Sequence, residues 1–142
     1  VRMPLDELVR YFETLSEASV DRLGEYYAAD AWFKDPFNEV RGVAAIARIF
    51  RHMFAQLDAP RFVIGETIAD GHGAMLVWEF HFRGRGVGLR GAQRIRGVSH
   101  LRFDADGRVD YHRDYWDAAE ELYFRLPLLG GVLRALQRRL AA

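Results

Sequence analysis

The feature that most constrains the fold is a change in hydrophobic period at Pro60. Before Pro60, apolar residues recur every three or four positions, which is typical of helices that bury one face. After Pro60, apolar and polar residues alternate, which is typical of strands that bury one side. The sequence therefore predicts an α+β domain in which N-terminal helices cover one face of a sheet and a pocket lies between the two layers.

Three helices are predicted before the change of period. The first spans 5–15, the second is short and follows Ser19, and the third begins at Gly42 and ends at the segment 58–60. Residues 31–35 predict a short aromatic strand, which the following proline ends because proline cannot donate to a sheet ladder. These elements form the helical layer and one strand next to it.

The second part of the chain predicts a meander of antiparallel strands. The four strands are separated by short turns and by a glycine-rich tip at 84–91, which is predicted as a loop. The predicted strands are 61–69, 74–83, 93–103 and 108–116.

A helical tail is predicted at 117–142, with breaks at Pro127 and at Gly130-Gly131. Its leucines alternate with arginines in a pattern that separates an apolar side from a basic side. The tail is equally compatible with a lid, a dimer contact or a surface anchor.

The composition predicts a single domain over 1–142, because 142 residues that are 50% hydrophobic can bury one core. Twenty basic and twenty acidic residues cancel and the basic ones are scattered, which argues against nucleic-acid binding. The absence of cysteine excludes disulfides, zinc–thiolate sites and thiol catalysis. Charges at the start of the chain argue against a secretory signal, and no apolar run has transmembrane length. We therefore expect a soluble, cytoplasmic protein.

The segment RYFETLSEASVDRLGEYYAADAWFKDP, residues 10–36, resembles ketosteroid isomerase within the nuclear transport factor 2-like and SnoaL-like polyketide cyclase superfamily. RGVAAI at 41–46 and SHLRFDADGRV at 99–109 continue the resemblance, which covers about 5–117. It implies a cone-shaped α+β barrel with N-terminal helices packed on a curved sheet. The extra C-terminal helix, 118–142, is expected to be an extension of that domain.

The resemblance also implies a catalytic site. Asp35 matches the family's general base, and Tyr11 matches the tyrosine that donates a hydrogen bond to the developing enolate oxygen. Ser99 stands where the family has a second, protonated acid, so the stabilisation of a steroid enolate would be weaker here. His112 and Asp114 are implied to face the pocket, which makes it more polar than a steroid requires. The aromatic ligand contacts expected from the same alignment are Trp32, Phe54, Trp78, Phe80, Phe82 and Trp116.

Simpler interpretations exist for several of these residues. An aspartate before a proline commonly forms a turn, which would explain Asp35 without chemistry. Tyr11 lies at the position of a core tyrosine. His112 and Asp114 are two apart and share one face of a strand, but the apolar pattern alone would turn that face to solvent. No third ligand of the right kind accompanies this pair, so no metal is predicted.

The predicted function is cofactor-independent general acid–base chemistry on a hydrophobic carbonyl or cyclic compound, of the isomerase or cyclase type. In a cyclase-type reaction, Asp114 would be the main acid or base. Epoxide hydrolysis is disfavoured because Arg113 lies on the wrong side of its strand. The alternative is a module of the same fold that binds a small hydrophobic molecule, or associates with proteins, without catalysis. A homodimer through the outer face of the sheet is expected in either case.

Overall fold

A computed structural model describes residues 4–86 and 89–141 of the chain. Helices and strands occur in the predicted order, with two helices first and most of the sheet afterwards. The helices are α1 (Leu5–Glu13), α2 (Val43–Gln56), α3 (Ala118–Glu121) and α4 (Pro127–Leu140), with 3-10 helices at Ser19–Glu25 and Tyr123–Arg125. The strands are β1 (Tyr27–Lys34), β2 (Glu39–Arg41), β3 (Asp58–Ala69), β4 (Gly73–Gly86), β5 (Leu89–Phe103) and β6 (Val109–Tyr115).

The strands form one six-stranded sheet in the order β2-β1-β6-β5-β4-β3. β1 and β6 pair in parallel, and all other neighbours pair antiparallel. The predicted α+β class is confirmed, and the N-terminal helices pack on the sheet. The sheet is open, with β2 and β3 as its two edges, rather than closed into a barrel.

The core lies between the inner face of the sheet and the helices α1 and α2. Leu8 and Phe12 of α1 are buried, as are Ile46 and Phe50 of α2, because these residues recur at helical spacing on one side. On β4 every second side chain is buried, from Ala74 to Phe82. The alternation assigns one face of each strand to the core and the other to the outside.

Three elements differ from the sequence-based prediction. β1 begins at Tyr27 rather than at residue 31, and β2, which was not predicted, pairs with it across a turn. Most of the predicted loop at 84–91 is strand, since Gly84 pairs with Gly91 and Gly86 with Leu89. Continuing the ladder gives backbone N–H and C=O groups partners, which a glycine-rich loop would leave to water. Residues 87 and 88 of this tip lie outside the described residues.

The tail is interrupted at Pro127, as predicted, because Leu126 is extended and α4 begins at Pro127, but Gly130-Gly131 does not break it. Pro127 stands in the first turn of α4, where its missing N–H costs no hydrogen bond. Gly130 lies inside α4, and a Cβ there would come within 2.2 Å of the Phe124 carbonyl oxygen. α4 therefore begins at Pro127 and continues through Gly130-Gly131. Within residues 4–86 and 89–141, no helix combines the length and apolar character needed to cross a bilayer.

Candidate functional site

β6 carries the polar residues nearest the core. His112 is buried and Asp114 is partly buried on the inner face of the sheet. Arg113, between them, turns outward and its guanidinium lies 4.8 Å from the centre of the Tyr115 ring. The strand therefore has the inward orientation that the family resemblance implied, and Arg113 lies outside the inner face on which His112 and Asp114 meet.

A chain of hydrogen bonds connects side chains from four strands. Tyr27 Oη lies 2.6 Å from Nδ1 of His112, and Nε2 of His112 lies 2.6 Å from Oδ1 of Asp114. Ser99 Oγ donates to the same Oδ1 at 2.5 Å and accepts from Nε1 of Trp78 at 2.8 Å. The network thus joins β1, β6, β5 and β4 on the inner face.

The direction of this chain follows from the carboxylate and the buried tyrosine. Burial, with a further contribution from the Asp114 carboxylate, raises the pKa of Tyr27 well above 10.0, so its hydroxyl stays protonated. Nε2 of His112 faces Oδ1 of the Asp114 carboxylate, which can only accept, so Nε2 carries a proton and His112 donates to Asp114. With one proton on the ring, Nδ1 is the acceptor and the Tyr27 hydroxyl donates to it. The whole network converges on Asp114 as its acceptor.

The carboxylate of Asp114 has one engaged oxygen and one available oxygen. Both hydrogen bonds end on Oδ1, and none from the described residues reaches Oδ2. Every buried polar side-chain atom of those residues has a hydrogen-bond partner, so Oδ2 is not buried. About one sixth of the side chain is exposed, at 16%. Asp114 is thus held rigidly and still accessible.

Asp114 lies between two cavities. The inner one has a volume of about 20 Å³, which is room for about one water molecule. The outer one is a surface depression of about 450 Å³ at the end of β6. The inner cavity is lined by Phe12, Phe50, Phe62, Ile64, Leu76, Trp78, Ser99, His112 and Asp114. The depression is lined by Lys34, Asp35, Pro36, Arg113, Asp114, Tyr115, Trp116 and Asp117.

Asp35 lines the depression but not the inner cavity. Its Oδ1 accepts hydrogen bonds from the backbone N–H groups of Phe37, at 2.8 Å, and Asn38, at 2.6 Å. The Asn38 side-chain amide donates to both of its carboxylate oxygens. Asp35 therefore shapes the turn between β1 and β2, as the simpler interpretation expects, and shares the depression with Asp114.

Tyr11 lies in the helical layer and lines neither cavity. Its hydroxyl donates to the Ser19 carbonyl at 2.8 Å, and its ring stacks on Tyr26 with centroids 4.1 Å apart. Burial raises the pKa of Tyr11 to about 12. The structure therefore does not bring Tyr11 together with the network around Asp114.

The predicted aromatic contacts are divided among several places. Trp78 lines the inner cavity, whereas Phe80 and Phe82 are packed in the core beyond it. Trp116 lines the depression, and its ring meets Phe37 edge-on. Trp32 stacks on Tyr111 on the outer face, and Phe54 is half-buried against the core.

Sequence reasoning missed Tyr27 and five apolar residues that line the inner cavity. Tyr27 and His112 are 85 positions apart and meet because β1 and β6 pair in parallel. No local sequence pattern predicts that two strands so far apart in the chain will pair. The lining residues of α1 and α2 were more accessible to prediction, because the helical spacing of their aromatic residues indicates which faces are buried. The missed lining residues are Phe12, Phe50, Phe62, Ile64 and Leu76. Within residues 4–86 and 89–141, no three His, Asp or Glu side chains are grouped as metal ligands would be.

Solved structures with the same fold come from proteins of different kinds. A ketosteroid isomerase-like protein from Catenulispora acidiphila, in complex with trimethylamine, is 14% identical with a TM-score of 0.70, covering 83% of this chain and 88% of its own. A protein described as a SnoaL-like polyketide cyclase, from Shewanella denitrificans, is 23% identical with a TM-score of 0.67, covering 84% and 98%. An LEH-like epoxide hydrolase from M. tuberculosis is 17% identical with a TM-score of 0.65, covering 94% and 92%. At these identities the likeness establishes the fold alone.

The family comparison goes further than the structural one. A search of curated proteins found no match. The model of the SnoaL-like domain matches residues 8–112, from α1 to the buried histidine of the network, and so includes both layers that enclose the inner cavity. The chain therefore belongs to the SnoaL-like domain family, within the nuclear transport factor 2-like superfamily.

Proposed function

We propose that this protein catalyses cofactor-independent proton transfer on a small hydrophobic carbonyl compound, with Asp114 as the acid–base group. The observation that carries the proposal is the asymmetry of that carboxylate. Oδ1 is fixed by His112 and Ser99, whereas Oδ2 is accessible. A fixed carboxylate with one available oxygen has the arrangement of a positioned general base.

The reaction follows from this arrangement. Oδ2 of Asp114 removes a proton from the carbon next to the substrate carbonyl, and the C–H electron pair remains on the substrate as an enolate. The neutral carboxyl group then returns the proton to a carbon of the same molecule, which gives an isomerised or cyclised product. His112 and Ser99 hold the carboxylate in place throughout, and Tyr27 fixes the tautomer of His112.

The proposal gives Asp114 the role that the family resemblance gave to Asp35. Asp35 would have to leave its bonds to the turn between β1 and β2, and Tyr11 its bond to Ser19, before either contacted a ligand at Asp114. Asp114 needs no such rearrangement. The oxyanion donor predicted at Tyr11 and the base predicted at Asp35 therefore stay predictions, which the variants below test separately.

The substrate class follows from the lining of the two cavities. The inner cavity is walled by aromatic and aliphatic side chains, which favours an apolar ligand. It holds about one water, whereas the depression has a volume typical of small-molecule sites. We therefore place the body of the ligand in the depression, beside Trp116 and the charged side chains that line it, with its apolar, reacting end directed toward Asp114 and the inner cavity. The proposal involves no metal and no cofactor.

Proton transfer to carbon is measured without knowing the natural substrate. The full chain is incubated in D₂O with 2-tetralone, an apolar cyclic ketone, and deuterium uptake next to the carbonyl is followed by NMR. We expect exchange above the uncatalysed rate, and a fall of about 10²- to 10⁴-fold in Asp114→Asn, which removes the basic oxygen. A series of related ketones extends the assay.

The matched control is Asp106→Asn, which makes the same chemical change in the exposed turn before β6. It should exchange like the parent chain. Asp35→Asn and Tyr11→Phe test the two other predicted roles in the same assay. Equal exchange rates in the parent chain, Asp114→Asn and Asp106→Asn across the series would refute proton transfer by Asp114.

The second candidate function is binding without catalysis, and the small inner cavity favours it. A space of about 20 Å³ between packed rings resembles a filled core more than an open active site. In that case a ligand occupies the depression alone. Native mass spectrometry tests this function by detecting a small molecule that stays bound to the purified protein. Equal retention of that molecule by the parent chain and by Asp114→Asn would support a carrier.

The outer face of the sheet supports the predicted homodimer. Met75, Val77 and Tyr115 expose apolar surface there, and Tyr111 and Trp32 add stacked rings. α3 reaches the same face near Arg96, so a partner would occupy the area next to it. Light scattering after gel filtration should give twice the chain mass, and Val77→Glu should give a monomer. A monomeric parent chain would refute the predicted homodimer. The cytoplasmic location is a separate prediction, which this experiment does not test.

A further inference from the structure

α4 exposes an apolar stripe that nothing in the described part of the chain covers. Leu128, Val132, Leu136 and Leu140 follow one another at intervals of four, so they form one line along the helix. Leu128 is 83% exposed and Leu140 is 78% exposed, and the two residues between them are also exposed. Leu129 widens the same stripe. This is a continuous apolar surface rather than scattered single residues.

The helix is attached to the protein by its other side. Gly130 packs so closely on the 3-10 helix Tyr123–Arg125 that no Cβ fits between them. Arg134 donates a hydrogen bond to the Phe124 carbonyl at 2.6 Å from the same side. A surface helix of a globular protein normally turns its apolar stripe inward and its polar face outward. α4 has the reverse orientation, so its stripe is available to a partner.

The charge around the stripe has one sign. Residues 122–142 contain four arginines and no aspartate or glutamate. Because the whole chain has twenty of each sign, residues 1–121 have sixteen basic and twenty acidic residues, and the excess of positive charge lies in 122–142. Arg138 and Arg139 are exposed in the last turn of α4, where their long side chains extend beside the stripe.

We infer that α4 binds the surface of an anionic phospholipid bilayer, lying in the plane of the interface. An amphipathic helix with leucines on one face and arginines beside them inserts its apolar face among the acyl chains and holds the headgroups by charge. Its 14 residues span about 21 Å, which is too short to cross a bilayer. The apolar stripe supplies the insertion, and the arginines select a negative surface.

Two other occupants fit the observations less well. A second copy of α4 would bring three more arginines to the first three without acidic residues to oppose them. A lid over the inner cavity would have to cross the sheet, because Glu121 fastens α3 to the outward-facing Arg96 on the opposite face. The depression is lined by residues of 34–36 and 113–117, and none of these belongs to α4. A bilayer matches both the apolar and the charged character of the tail.

The test is co-sedimentation of the full chain with sucrose-loaded vesicles. We expect binding to phosphatidylcholine vesicles that contain phosphatidylglycerol, little binding to pure phosphatidylcholine, and release as salt is raised. Arg138→Gln with Arg139→Gln should weaken binding about thirtyfold, from two arginines near an anionic surface. Val132→Ser with Leu136→Ser should abolish it by removing the centre of the stripe.

The matched control removes the same charge elsewhere. Arg10→Gln with Arg48→Gln changes two exposed arginines of α1 and α2 and should bind like the parent chain. Circular dichroism establishes that each variant keeps its helices. The inference is overturned if the parent chain does not sediment with anionic vesicles, or if the control loses as much binding as the tail variants. It is also overturned if the serine variant only converts a dimer to a monomer and still binds vesicles.

Discussion

Gly97 is the position where one added methyl group should disturb the site most directly. It pairs with Trp78 across β4 and β5, and three atoms of the indole ring lie next to it. A Cβ at residue 97 would come within 2.5 Å of the ring, where ordinary contact begins at 3.4 Å, so the ring must move by about 0.9 Å. Such a movement takes Nε1 of Trp78 beyond hydrogen-bond distance of Ser99, which it now meets at 2.8 Å.

The cost of Gly97→Ala follows from these two changes. Overpacking a dense core costs about 1–3 kcal/mol, and the lost hydrogen bond adds about 0.5–1.5 kcal/mol. We therefore expect the free energy of unfolding to fall by about 2–4 kcal/mol, a large part of the stability of a domain of this size. Urea denaturation measures the change, and a red shift of tryptophan emission reports the displaced ring.

The matched control is Gly65→Ala in β3, where a Cβ would lie 3.9 Å from the nearest atom, the Val77 carbonyl oxygen. Its free energy of unfolding should change by less than about 0.5 kcal/mol. In a double-mutant cycle, Trp78→Phe should relieve part of the cost of Gly97→Ala, since the smaller ring leaves room for the methyl group. Equal stability of Gly97→Ala and Gly65→Ala, with unchanged emission, would refute this account of the packing.

Two further predictions concern buried ionisable groups. The pKa of Tyr11 is raised from 10.0 to about 12, and that of Tyr27 is also raised. Folding therefore favours the protonated form of both side chains, and the contribution of this preference to the free energy of unfolding is complete below pH 10 and is lost as pH rises toward 12. Urea denaturation across this window should show a falling free energy of unfolding, with a shallower slope in Tyr11→Phe; an equal slope would contradict the assignment. The buried carboxylate of Glu121 accepts a hydrogen bond from Arg96 at 2.7 Å. Glu121→Gln should therefore loosen α3 from Arg96 and make residues 122–141 more susceptible to limited proteolysis. The urea midpoint of the sheet should stay unchanged. Unchanged cleavage would show that other contacts hold the tail.

Local patterns predicted the layers of the fold because burial imposes a period on each element. The alternation on β4 and the stripe of α2 both follow from one face meeting the core. The break at Pro127 was predicted correctly, because proline cannot continue a preceding helix but suits the first turn of the next one. The break predicted at Gly130-Gly131 was wrong, because Gly130 is required by its close approach to the Phe124 carbonyl oxygen and not by a turn.

The candidate site was predictable in part. His112 and Asp114 are two residues apart on one strand, so their side chains had to lie on the same face of the sheet. Only the family resemblance indicated that this is the inner face. Asp35 illustrates the opposite case, since the turn tendency of an aspartate before a proline describes its contacts better than the resemblance does. Tyr27 was not predictable, because its partner comes from a strand far away in sequence.

The parallel pairing of β1 with β6 has a consequence for folding. It joins segments about eighty residues apart, so forming it costs more loop-closure entropy than forming the hairpin of β4 and β5. The bond between Tyr27 and His112 cannot exist until that late pairing is made. A partly folded chain with its hairpins in place would therefore lack the link from Tyr27 to the hydrogen-bond network of Asp114, and refolding should restore the helical signal before that link forms.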